Sequence, residues 1–223
     1  MGYQNCTEEK GLIPPRDCPG IYQAFGGCGF REDHAVNLYT SPDLVSWTFK
    51  GDVYGTDSDR PEGIYFRPKV IYNANTSSYV LWINYLAPAS SPLASYPSAV
   101  LVVATSKSAL GPFTTVTKAA ALEVSGPGDF TLFVDPRDDS AYVAYDAWGN
   151  NHQVSIEKLT DDYLNSLGAN ATTGTITETG NEAPMLFERN GWYYLIFGPT
   201  CCFCNQGSGA IVLWAEHPLG PWT

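Results

Sequence analysis

The sequence predicts an all-β fold built from a repeated four-stranded unit, and three observations carry that prediction. Charged residues make up only 16% of the 223, while 21 Gly, 16 Pro and 14 Tyr supply short strands and tight turns rather than long helices. A hairpin pattern, an apolar strand followed by a polar turn and an aromatic-rich strand, recurs three times. A second pattern, a strand followed by a Pro- or Gly-containing corner, recurs four times.

The hairpin copies are RPKVIYNANTSSYVLWINY (67–85), DFTLFVDPRDDSAYVAYDA (129–147) and EAPMLFERNGWYYLIFGPT (182–200). Their connections, NANTSS, DPRDDS and ERNG, are rich in Asn, Asp, Gly and Ser, which bond their own backbone or accept left-handed conformations. The strand-and-corner copies are AVNLYTSPDLVSWTFKG (35–51), AVLVVATSKSALGPFTTV (99–116), HQVSIEKLTDDYLNSLG (152–168) and AIVLWAEHPLGPWT (210–223). The marker tyrosines Tyr79, Tyr142 and Tyr194 lie 63 and 52 residues apart. A four-stranded sheet at that spacing is a β-propeller blade, which cannot bury both faces alone and so stacks on its neighbours. A two-sheet sandwich is the competing architecture; the repeated order of turn, strand and G-P-[FW] corner favours the propeller. The expected organisation is one partial propeller over residues 1–223, with approximate blades 1–52, 62–118, 128–178 and 180–223, about three and a half to four blades in all. Trp47, Trp214 and Trp222 fall at repeat positions and are expected to pack between blades.

The net charge of −11 disfavours nucleic acid and anionic membrane surfaces as partners and suits a neutral ligand such as a sugar. No apolar stretch approaches the ~20 residues of a membrane span. Three sequons (Asn5, Asn75 and Asn170) and six cysteines (Cys6, Cys18, Cys28, Cys201, Cys202 and Cys204) together point to a secreted, disulfide-containing glycoprotein. The pairing of the cysteines is left open. The start, MGYQNCTEEK, lacks the apolar core of a signal peptide, and GPWT ends where a further strand is expected, so the chain reads as a fragment.

Chemistry is sought where the innermost strands begin, at one rim of the propeller. Superposing the hairpins places Arg67, Asp129 and Glu182 near the start of three successive inner strands. Two carboxylates in one partly enclosed funnel separate in pKa. Glu182, among apolar and aromatic neighbours, is expected to keep a proton and act as a general acid. Asp129 is expected to stay ionised and orient it, with Arg67 as a fixed positive fork beside them. Phe66, His34, Trp148 and His152 are further candidates to line the site and bind substrate; a structural histidine and inter-blade aromatic packing are the plainer alternatives for them. Asn84 and Tyr85, ending a second strand, are weaker candidates.

These hairpins, together with FRPKVIYN, GDFTLFVD, LTDDYL and NEAPMLF, resemble glycoside hydrolase family 43 from about Asn37 onward, and within it the exo-β-1,3-galactanase-like branch. The resemblance implies a five-bladed propeller and inverting glycoside hydrolysis, with Glu182 at the general acid's position and Asp129 at that of the pKa-modulating aspartate. The branch usually carries a substrate-binding glutamate just before R-P-K. This chain has Phe66 there, with Glu62 four residues earlier a poor substitute, so β-1,3-galactan specificity is left open. The resemblance also implies a general base on an inner strand preceding Met1 and a last blade following Thr223, so little activity is expected of this chain by itself. The expected function is cleavage of terminal glycosidic bonds in plant- or algal-type polysaccharides (galactan, arabinan or xylan side chains); a non-catalytic carbohydrate-binding propeller is the runner-up. A carbohydrate substrate, a monomer and no required cofactor complete the expectation. No residue is assigned to a metal, and a structural ion in the channel is left open.

Overall fold

A computed structural model describes residues 32, 34–55, 57–88, 96–200 and 209–223. The six cysteines, and with them the proposed disulfides and Asn5, lie outside these residues. The described residues form thirteen strands in four antiparallel sheets that follow the chain in order. The first pairs β1 (Val36–Thr40) with β2 (Thr48–Tyr54). The second runs β3 (Ile64–Asn73), β4 (Ser78–Leu86), β5 (Val100–Ser106), β6 (Thr114–Thr117). The third runs β7 (Pro127–Val134), β8 (Ala141–Ala147), β9 (Gln153–Lys158), β10 (Thr172–Thr175). The fourth runs β11 (Asn181–Arg189), β12 (Trp192–Pro199), β13 (Ile211–Ala215).

Each sheet stacks on the next. Val53 and Tyr54 of the first sheet pack with Leu81, Ile83 and Val102 of the second. Val80, Trp82, Leu101 and Val103 on the other face of the second meet Phe130, Val143 and Tyr145 of the third. Tyr142, Ala144, Val154 and Ile156 of the third meet Leu186, Leu195 and Phe197 of the fourth. The middle strands therefore bury both faces, which explains why β8 is buried at all seven positions and reads as a continuous run rather than an alternation. This serial stacking, in which β7 neighbours both β3 and β11, is the partial propeller that the repeats predict.

The turns form as their residues require. In NANTSS, Asn73 Oδ1 accepts the Thr76 amide at 2.9 Å, and in DPRDDS, Asp135 Oδ1 accepts the Arg137 amide at 3.0 Å. Asn190 and Gly191, with φ of 55° and 86°, make the two-residue left-handed turn between β11 and β12. The corners KSALGPF and HPLGPW send Phe113 and Trp222 into the inter-sheet cores. Of the three tryptophans expected between blades, only Trp222 packs so. Trp47 and Trp214 are 56% and 45% exposed, because they lie on the first and last of the described sheets.

All three inner strands carry a β-bulge near their start. The ladder breaks between Phe66 and Lys69 in β3, between Pro127 and Phe130 in β7, and between Glu182 and Met185 in β11. Pro68 and Pro184 occupy two of these breaks, where a missing N–H costs no ladder bond. Arg67 and Ala183 precede them in the left-handed region, at φ of 55° and 56°. Counted from the break, Glu182 matches Phe66 and Pro127, Arg67 matches Gly128 and Ala183, and Asp129 matches Pro68 and Pro184.

Candidate functional site

The three residues singled out from the repeats all sit at the bulges. Arg67 from the β3 bulge forms an ion pair through Nε with Asp129 Oδ1 from the β7 bulge, so two neighbouring inner strands are joined at their starts. The arginine side chain is 41% exposed and the aspartate 19%, so the pair sits at the surface of the site rather than beneath it. The Asp129 carboxylate is thereby held against the guanidinium. Glu182 opens β11 opposite Gly198 and is partly buried. The residue before it, Asn181, is anchored by a backbone bond to His152 O (2.8 Å) and a side-chain bond to Glu178 O (2.7 Å).

A third carboxylate, absent from the sequence-based set, lies beneath them. Asp146, near the end of β8, is 1% exposed. Its Oδ2 accepts a hydrogen bond from His152 Nδ1 at 2.7 Å, while its Oδ1 is buried without a hydrogen-bond partner among the described residues. Burial pushes its carboxyl up to about 6 against the favourable hydrogen bond and charge of His152 and the charge of Arg67, and the charge of Glu182 adds to the rise. Asp146 is therefore within electrostatic reach of His152, Arg67 and Glu182, which ties the three sheets' contributions to one place.

Gly128, in the β7 bulge, makes this approach possible. A Cβ there would lie 2.5 and 2.7 Å from the two Asp146 oxygens and 2.6 Å from Trp148 Cδ1. Its carbonyl accepts a hydrogen bond from Asn84 Nδ2 of β4, and Asn84 Oδ1 is a second buried oxygen with no partner among the described residues. Asn84 thus braces the rim from beneath; it is fully buried.

Trp148 and His152 flank a single 3-10 turn (Trp148–Asn150), their ring centroids 4.0 Å apart. Phe66 lies in the core with Ile64, Leu86 and Ala99, 5% exposed, and the Arg67 guanidinium lies 5.0 Å from its ring. His34 Nε2 is 2.6 Å from Tyr65 O and 3.2 Å from the Tyr65 amide, tying the chain before β1 to β3. Arg67, Glu182 and His152 thus act on Asp146, Asp129 joins the group through Arg67, and Trp148 through His152, while His34 bonds the Tyr65 backbone and the Phe66 ring packs in the core. Among the described residues no group of three or more His, Cys, Asp or Glu side chains could hold a metal ion, and no helix is long and apolar enough to cross a membrane.

Residues 23–223 match the profile of Glycosyl hydrolases family 43. The chain belongs to glycosyl hydrolase family 43. Its five-bladed propeller is the architecture of which the four stacked sheets are a part. Among solved structures, the chain is similar to an exo-β-1,3-galactanase from Clostridium thermocellum, at 29% identity and a TM-score of 0.72, over 87% of this chain and 43% of that one. It is also similar to an exo-β-1,3-galactanase from Phanerochaete chrysosporium solved with galactose, at 27% identity and a TM-score of 0.69, over 85% of this chain and 42% of that one. A family 43 β-1,3-galactosidase solved with galactodeoxynojirimycin shares 28% identity, at a TM-score of 0.70 over 87% of this chain and 68% of that one. The chain thus spans less than half the length of the two galactanases. No curated protein matches it.

Proposed function

We propose that this family 43 chain carries the acid half of the active site of a glycoside hydrolase that removes terminal sugars from galactan-type polysaccharide with inversion. One observation carries the reading. Arg67, which holds Asp129 of the neighbouring inner strand, and Glu182 of a third inner strand both act on the same buried aspartate, in a chain that matches the family along 23–223. Glu182 is the proton donor to the departing glycosidic oxygen, and the Arg67-held Asp129 orients it. Water then attacks the anomeric carbon from the opposite face, and its proton passes to a general base outside the residues assigned here. The preference for galactan over arabinan or xylan side chains rests on the three relatives, each described as acting on a β-1,3-galactosyl linkage. Trp148 offers an apolar ring face for a sugar, and Phe66 acts by bracing the Arg67 guanidinium.

The test uses the longest natural polypeptide containing this chain, incubated with aryl β-galactoside, β-xyloside and α-L-arabinofuranoside and with β-1,3-galactan. Galactoside and galactan should be cleaved, and Glu182→Gln should lower turnover by roughly 10²–10⁴-fold with the fold intact. Sugar binding without turnover of any substrate would support the carbohydrate-binding alternative and refute the hydrolase.

Secretion is part of the same proposal. Asn75 lies in the exposed β3–β4 turn and Asn170 in an exposed 3-10 turn, both open to glycan transfer. Expression through a eukaryotic secretory pathway should yield a product whose mass falls on treatment with a peptide N-glycosidase.

A further inference from the structure

Among the described residues three carboxylates are deeply buried, and two of them are explained by stability alone. Glu157, fully buried, receives hydrogen bonds from the Tyr145 and Ser166 hydroxyls and from the Glu123 amide at 2.9 Å. Asp135, 3% exposed, receives the Tyr193 hydroxyl, the Arg137 amide at 3.0 Å and Arg137 Nε at 3.3 Å. Each has donors on both sides of its carboxyl group or a cation against it, as buried acids in a stable core require. Asp146 has one side-chain donor, His152, and one orphaned oxygen. A buried carboxylate so poorly solvated does not serve the fold.

The imidazole it holds is placed at some cost. Asn151 and His152 are consecutive non-glycine residues in the left-handed region, at φ of 53° and 59°. Such residues cost on the order of 1–2 kcal/mol each and persist only where the surroundings over-determine them. Here they do. The Asn151 amide bonds Trp148 O (3.2 Å), the His152 amide bonds Ala147 O (3.0 Å), and the carbonyls of both accept amides from Gly180 and Asn181 (2.8 Å each). The last of these places His152 beside the residue that precedes Glu182. The imidazole packs on Trp148, with Nδ1 on Asp146. Its opposite nitrogen, Nε2, has no hydrogen-bond partner among the described residues and is not among the buried atoms that lack one.

We propose that Asp146 is a positioning residue: by accepting from Nδ1–H it fixes the His152 tautomer, so that the Nε2 lone pair is presented beside Glu182 to accept a hydrogen bond from a hydroxyl of the bound sugar. The proposal rests on the hydrolase reading above for the identity of the ligand. An ionised carboxylate only accepts, so the proton between the two groups belongs to Nδ1, and in the neutral imidazole that leaves the lone pair on Nε2. Trp148 and the four backbone bonds keep the ring from turning away, and Gly128 leaves room for Asp146 to reach it. Groups acting on the pair are Arg67 from β3 and Glu182 from β11.

The experiment is a titration of the longest natural polypeptide, carrying ¹⁵N-labelled histidine, with galactose as probe, alongside steady-state kinetics on aryl β-galactoside. In the wild-type protein His152 should show a protonated Nδ1 and an unprotonated Nε2, and galactose should shift Nε2. Asp146→Asn should abolish the tautomer preference and raise KM roughly three- to tenfold, the worth of one hydrogen bond, with a smaller change in kcat. His152→Gln, whose amide oxygen can stand in for Nε2, should recover part of the binding lost in His152→Ala. His152→Asn, which stands in for Nδ1 alone, should not. Galactose that binds and shifts other resonances while leaving His152 unmoved would overturn the proposal and spare the hydrolase reading. Neither binding nor turnover of any sugar would overturn both.

Discussion

Replacing Asp146 with Asn should make the protein gain stability relative to the wild type as pH rises to neutral, an unusual result for a residue at the heart of a site. The carboxyl is 1% exposed, and burial raises it from 3.8 to about 6. Between those two values the folded chain holds a proton that the unfolded chain has released. Stability from this group is therefore present in full below the unfolded value and is lost as pH rises through the folded one. The gap between 3.8 and about 6 amounts to about 3 kcal/mol, at about 1.36 kcal/mol per pH unit. Asparagine does not ionise, so its contacts enter as a constant and the pH dependence of the comparison isolates the buried charge. Urea unfolding of both proteins at steps from about pH 4 to about pH 8 gives the difference directly. The variant should gain on the wild type by more than 2 kcal/mol across the series, with most of the gain by about pH 7. A difference independent of pH, or one that moves the other way, would show that Asp146 is solvated or ion-paired in the fold and would refute the reasoning from burial.

Three further outcomes follow from the same geometry. Gly128→Ala should cost about 1–3 kcal/mol, because the new methyl lies within 2.5–2.7 Å of three atoms of Asp146 and Trp148, and ¹⁵N spectra should show the His152–Asp146 bond disturbed. Trp82→Ala should cost about 3–5 kcal/mol by thermal or urea unfolding, since it empties the centre of the second inter-sheet core and removes the donor to Tyr163 O at 2.8 Å. Arg67→Met should change stability by less than about 1 kcal/mol, the worth of a part-exposed ion pair, yet lower glycoside turnover by freeing Asp129 from its fork; a large stability loss with unchanged turnover would reverse that assignment.

The fold was legible in the sequence wherever local chemistry and tertiary demand agree. Hairpins such as ERNG declare themselves because Asn-Gly is suited to the two left-handed residues their turn needs, and G-P-[FW] corners recur because an aromatic must re-enter the core after each one. The acids at the strand starts were legible for a related reason: a polar residue at the mouth of an apolar strand stands out. Asp146 did not, although it is the lone acid in AYVAYDA. With both faces of β8 buried there is no alternation to violate, and the residue's meaning comes from Gly128 and His152, brought to it by the sheet. Phe66 is the opposite case. It holds the register of Glu182, yet its ring turns into the cluster with Ile64 and Leu86. For His34 the structural reading was open from the sequence, but its partner, Tyr65, 31 residues away, was not.

The recurring bulge has a consequence for how such a site can change. Because the hydrogen-bonded ladder is already interrupted at that point in β3, β7 and β11, each break works as a socket that accepts Arg-Pro, Gly-Asp or Ala-Pro without disturbing the strands on either side. A new side chain there alters what the rim presents while the inter-sheet cores, set by residues further along, stay as they are. What the rim presents can therefore change at the β3 and β11 breaks at little cost to folding, whereas the β7 break is held to the glycine that the approach of Asp146 requires.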